Sequence, residues 1–187
     1  FNQAMTKVYY SVCDFRNYDE MICDVYSADV DTEGNWSNSV KTNINQSDYS
    51  TTQPSVGFDA TEGGEFLYFA SDRPGGQGGL DLYRASLSSD GTVGAPENIT
   101  SVNTAGDEAS PFWYAPRQTL YFATNGRFTF GGLDIYKSFL IDGRFRRPVN
   151  VGAPINTSAD EAYYTRYDDP DQAYVSSRKP DSEAIFY

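Results

Sequence analysis

The chain contains no histidine. That removes Ser-His-Asp and Cys-His catalysis, imidazole zinc ligation and any imidazole proton carrier. Basic residues are also few: 14 Lys and Arg stand against 26 Asp and Glu, for a net charge of −12. This balance argues against nucleic acid, whose phosphates call for Lys and Arg. An acidic surface instead serves solvation or meets basic partners. No run of 18 apolar residues occurs, so no segment reads as a membrane-spanning helix. No signal peptide is visible, and no stretch keeps a helical apolar period over eleven residues or more. No residue pattern implies a cofactor. The first residue is not Met, and both ends fall inside predicted strands. The 187 residues therefore read as a fragment of a longer protein.

What the chain has is self-similarity. "LYFASDRPGGQGGLDLY" is answered by "LYFATNGRFTFGGLDIY", and Tyr68 and Tyr121 lie 53 residues apart. Asp81 and Asp134, Asn103-Thr104 and Asn156-Thr157, and Asp107-Glu108-Ala109 and Asp160-Glu161-Ala162 keep the same step. Gln53-Pro54-Ser55 sits near the place that Ser110-Pro111 takes one repeat later. Val8-Tyr9-Tyr10-Ser11 and Ala173-Tyr174-Val175-Ser176 extend the echo in both directions. A fixed period of about 40 to 55 residues is the signature of a repeat architecture. Two complete repeats and parts of two more are expected, at 1–45, 46–104, 105–157 and 158–187.

Each repeat reads as short strands bounded by Gly, Pro and Asp-Gly turns. Leu67-Tyr68-Phe69 and Val8-Tyr9-Tyr10 carry bulk at consecutive positions, so both faces of such a strand must be covered. Four short antiparallel strands per unit, buried on both faces, predict an all-β fold, a β-propeller of four-stranded blades. Within the repeated phrase, Asp72, Arg73, Gly75, Gly76, Gly78 and Gly79 form the first turn, and Gly131 and Gly132 the second. Asp81 and Asp134 are expected to accept hydrogen bonds from turn amides. A phosphate cradle would need a strand-to-helix exit and a lysine, and neither is present.

No carboxylate set stands out as catalytic or metal-binding. Asp29 to Gly34 begins like a calcium loop, but the twelfth position is Val40 instead of Glu, so it reads as an acidic hairpin turn. Asp168-Asp169-Pro170-Asp171 also reads as a turn, and Ile185-Phe186-Tyr187 as a strand. Asp107, Glu108, Asp160 and Glu161 recur at the start of the innermost strand. Either they ring a channel mouth, where a cation or a basic partner could bind, or each pair caps its own unit. Phe112-Trp113-Tyr114 and Ala162-Tyr163-Tyr164 are either sugar- or peptide-binding aromatics or core. Cys13 and Cys23 flank a predicted hairpin. Paired, they would mark an oxidising compartment; unpaired, they would be two buried thiols.

The SDRPGG…GGLDLY phrase, with "PVNVGAPINTSADEA" and "CDFRNYDEMIC", resembles WD40-like propeller repeats of the TolB kind. It is similar to the form found in Bacteroidota envelope proteins, beside tetratricopeptide repeats and OmpA-like domains. That resemblance implies a non-enzymatic interaction scaffold in the periplasm, associated with the outer membrane through regions outside this segment. Its partners would be other envelope proteins of the type IX secretion and gliding machinery. The alternative from a different class is a glycan-binding or glycoside-hydrolase-like domain using Asp, Glu and aromatic side chains.

Overall fold

The computed structural model describes residues 1–16, 20–167 and 172–179. The turn read at 168–171 and the strand read at 185–187 lie outside the described residues. Four antiparallel sheets follow one another along the chain. Sheet I holds β1 (Lys7–Arg16), β2 (Glu20–Val30) and β3 (Trp36–Lys41) in that order. Sheet II holds β4 (Thr51–Asp59), β5 (Gly64–Ser71), β6 (Asp81–Leu87) and β7 (Glu97–Asn98). Sheet III is built from β8 (Glu108–Tyr114), β9 (Thr119–Thr124) and β10 (Asp134–Ile141). Two short strands, β11 (Arg144–Phe145) and β12 (Val149–Asn150), both pair with β10. Sheet IV is the hairpin of β13 (Asp160–Arg166) and β14 (Ala173–Arg178).

The period of two in a strand decides how these sheets meet. On β5, Phe66, Tyr68 and Ala70 join a cluster with Trp113, Leu120 and Phe122 of sheet III. The intervening Leu67 and Phe69 join Tyr9 and Val25 of sheet I. One sheet further on, Leu120 and Phe122 of β9 face sheet II, while Tyr121 and Ala123 pack with Tyr164 of sheet IV. Each of these large side chains is buried, which is worth roughly 1.5–3 kcal/mol apiece.

The fold expectation is corrected here. Among the described residues the sheets have three, four, five and two strands, and none closes. The chain is an open series of face-packed antiparallel sheets, stacked as sandwich layers are, and not a propeller of four-stranded blades. The 53-residue period and the two-faced apolar strands specify sheets that cover one another. They do not specify the constant rotation about an axis that closure requires, and uneven strand numbers satisfy them equally well. No helix among the described residues is long and apolar enough to cross a membrane.

The repeated glycine phrase is the joint between consecutive sheets. A Cβ on Gly78 would lie 1.9 Å from the Gly106 carbonyl oxygen, and one on Gly131 would lie 1.8 Å from that of Ala159. At this close approach the Gly79 amide donates to the Gly106 carbonyl and the Glu108 amide to the Leu80 carbonyl. Asp107 accepts the Leu80 amide at 2.9 Å, and Asp160 accepts the Leu133 amide at 3.1 Å. Gly79 and Gly132 lie directly against these two carboxylates. A second device recurs three times. The side chains of Asn45, Asn103 and Asn156 bond both the amide and the carbonyl of Val25, Leu82 and Ile135 respectively, as an adjoining strand would.

Candidate functional site

Most of the residues singled out by the repeat hold turns. Asp81 accepts the amides of Gln77 and Gly78 at 2.8 and 3.1 Å, and Gly76 lies against its carboxylate. Asp134 accepts the amides of Phe130 and Gly131 and the Asn150 side chain. Gly75 takes a φ of +94°, and Asp72 accepts the Ser50 amide at 2.7 Å. Arg73 is buried over the rings of Phe69 and Tyr83 and donates to the Ile44 carbonyl and the Ser71 and Thr51 hydroxyls. Cys13 and Cys23 oppose one another across β1 and β2 and form a disulfide. Asp31 closes the β2–β3 turn by accepting the amides of Glu33 and Asn35.

The glutamates of the recurring acidic pairs are enclosed, and Asp107 and Asp160 are partly exposed. Glu108 is fully buried, accepting from the Thr104 amide, the Thr104 hydroxyl and the Thr124 hydroxyl at 2.8, 2.6 and 2.7 Å. Glu161 is buried too, and repeats the arrangement with Thr157 and Ser177. Each glutamate thus ties the turn before its strand to the strand beside it. No group of three or more metal-ligating side chains forms among the described residues.

The feature that converges on a cleft is backbone strain. Gln53, Ser110 and Tyr163 all adopt left-handed backbone, with φ of 54°, 45° and 53°. Each sits at a break in strand register: between Thr52 and Ser55 on β4, between Ala109 and Phe112 on β8, and between Ala162 and Thr165 on β13. Bulges and non-glycine left-handed residues gather where a fold aims side chains for function. Here the three are stitched to one another. The Ser110 amide donates to Gln53 Oε1 at 2.7 Å, Gln53 Nε2 donates to the Tyr163 hydroxyl at 2.9 Å, and the Tyr163 amide donates to Ser110 Oγ at 3.1 Å.

Together they border a cleft of about 250 Å³, with Ser55, Phe112 and Tyr164 among its other walls. Its described lining is uncharged. Tyr163 is 57% exposed, whereas Trp113, Tyr114 and Tyr164 of the two aromatic runs are core. Tyr163 and Phe112 were visible in sequence as aromatic candidates. Gln53 and Ser110 were missed as site residues, although the repeated X-Pro steps marked their positions.

No protein-family model matches the chain, and no curated protein does. Two solved structures are similar to it. An endo-arabinase from Bacteroides thetaiotaomicron VPI-5482 aligns with a TM-score of 0.58 at 16% identity, over 95% of this chain and 68% of that one. A protein of unknown function from Dyadobacter fermentans DSM 18053 aligns with a TM-score of 0.50 at 14% identity, over 84% of this chain and 42% of that one. At such identities the likeness is one of fold. These findings carry three corrections. The resemblance to TolB-type WD40-like repeats finds no support, because the shared fold is that of an endo-arabinase. The secretion and gliding role that rested on it goes with it. The expectation that the chain is not an enzyme is also withdrawn, since a similar fold houses a hydrolase. The Cys13–Cys23 disulfide fits an extracytoplasmic setting.

Proposed function

We propose that the three-bulge cleft binds a neutral polysaccharide chain. The observation that carries this reading is the convergence of three strained bulges on one uncharged cleft walled by amide, hydroxyl and aromatic groups. The half-exposed Tyr163 ring offers an apolar face for the C–H face of a sugar, while its hydroxyl is held by Gln53. Gln53, Ser55 and Ser110 lie beside it to exchange hydrogen bonds with sugar hydroxyls. The net charge of −12 repels polyanionic glycans, which favours neutral ones. The name of the similar arabinase makes an arabinan the first ligand to try. Cleavage would need two carboxylates at a defined separation. The described cleft lining contains none, so binding is what its own side chains provide.

The test is affinity electrophoresis through gels containing arabinan or polygalacturonate, with reducing ends assayed in parallel. Retardation by arabinan is expected, weakened roughly tenfold in Tyr163→Ala, the scale of one aromatic contact. Equal mobility with and without arabinan, or an unchanged Tyr163→Ala variant, would overturn the reading. We place the protein in the periplasm on the strength of its disulfide. Free thiols at Cys13 and Cys23, found by alkylation of protein from fractionated cells, would remove that support.

A further inference from the structure

A second cleft, of about 380 Å³, opens between sheets III and IV and shares Tyr164 with the first. Lys137 of β10 and Arg166 of β13 both line it, together with Tyr121 and Gln172. No carboxylate appears among its described lining residues. Arg166 lies over the Tyr114 ring at 4.6 Å, and its Nε is buried with no hydrogen-bond partner. Lys137 Nζ stands 5.9 Å from the centre of the Phe139 ring. Tyr121 and Tyr164 stack at 4.7 Å and give the cleft an aromatic wall.

The repeat shows what this arrangement departs from. Arg84 stands 53 residues before Lys137, and Trp113 stands 53 residues before Arg166. In that earlier seam Arg84 meets three carboxylates: Asp59 at 3.6 Å, and Glu62 and Glu97 at 3.2 Å each. In the later seam two cations share a cleft without one among the described lining residues, inside a chain of net charge −12. The Arg166 guanidinium lies against the Tyr121 and Tyr164 hydroxyls, and a partly enclosed guanidinium is a directional donor to carboxylate or phosphate oxygens.

We propose that this cleft is an oxyanion site, taking the carboxylate or phosphate group of a small ligand. The Arg166 guanidinium donates the directional hydrogen bond, Lys137 adds charge, and the tyrosine stack lies alongside the ligand body. The site stands apart from the glycan reading, since the bulged residues Gln53 and Ser110 play no part in it.

The test is titration of the whole chain at low ionic strength with inorganic phosphate, sodium acetate and sodium chloride. Amide NMR signals of β10 and β13 are followed. Saturable shifts with phosphate or acetate are expected, and whichever binds more tightly identifies the group. Affinity should fall roughly tenfold in Arg166→Gln, as for loss of one charge-assisted hydrogen bond. It should fall similarly in Lys137→Gln, whose partly exposed side chain makes a folding failure there unexpected. Arabinan retardation should survive in Lys137→Gln, which separates failure here from failure of the glycan cleft. The proposal is overturned if neither oxyanion saturates, if chloride shifts the same amides equally, or if Lys137→Gln binds as the parent does.

Discussion

Between sheets II and III, Trp113 lies flat on Tyr68 with ring centroids 5.1 Å apart, and Phe145 meets both rings edge-on. Between sheets III and IV, the position of Trp113 is taken by Arg166, and the position of Tyr68 by Tyr121. The first seam is filled by aromatic bulk, and Arg84 within it is neutralised by Asp59, Glu62 and Glu97. The second keeps an aromatic stack but exchanges bulk for charge. Equivalent positions in a repeat face the same geometric demand, so a change of chemistry between them marks where something other than packing governs the sequence. On this comparison the first seam holds the molecule together and the second is open to ligand.

The comparison breaks most directly at its paired positions. Trp113→Ala is expected to lower stability by about 3–5 kcal/mol, the cost of emptying a packed aromatic site. Arg166→Ala is expected to cost about 1–2 kcal/mol, because it removes a partly exposed stacking contact on Tyr114 and hydrogen bonds to tyrosine hydroxyls. Urea unfolding of both variants decides the matter, and equal losses would mean that the seams do not differ in role.

Next in size is the charge network. Arg84→Met leaves Asp59 fully buried without its cation, at a cost of about 3 kcal/mol. Lys137→Met is expected to stay within about 0.5 kcal/mol of the parent. The same unfolding curves would show it.

A smaller effect sharpens the packing argument. A Cβ on Gly57 would stand 2.2 Å from Trp113 Cγ. Gly57→Ala should therefore cost about 1–3 kcal/mol, and much of that should vanish in a Trp113→Ala background. A double-mutant cycle measures the coupling.

The least effect lies in alkaline solution. Burial pushes the hydroxyls of Tyr68 and Tyr164 above the ordinary tyrosine value, in both seams alike. Burial does the same to Tyr9, where Glu65 and Asp90 add to it. The unfolded chain ionises near pH ~10 while the folded chain keeps these protons. Stability should be whole below that pH and decline as pH rises through it. A thermal midpoint independent of pH between about 9 and 11 would contradict this.

The sequence made the units legible because their signals are local. Leu67-Tyr68-Phe69 and Leu120-Tyr121-Phe122 announce strands covered on both faces, and their alternate residues do pack on opposite sides. Asp81 and Asp134 bond turn amides within five residues of themselves, a reach that spacing reveals. Closure was not legible, because no residue pattern encodes the angle between successive sheets. Nor was the enclosure of Glu108 and Glu161. Their partners Thr124 and Ser177 come from the adjoining strand, 16 residues away. The cleft was half legible. Tyr163 drew notice as an aromatic, but what brings Gln53 and Ser110 beside it is left-handed backbone, which leaves no mark in hydrophobic periodicity.

The glycine joint has a consequence for how such a chain grows. Each 53-residue unit carries a socket, the Gly-Gly-Leu edge, and a plug, the Asp-Glu pair that enters the preceding socket. A tandem copy of the segment brings both halves, so an added unit docks onto its parent without any compensating change elsewhere. Such a lineage can lengthen by whole units, and each newcomer's outlying positions can then drift toward their own chemistry, as Lys137 and Arg166 have.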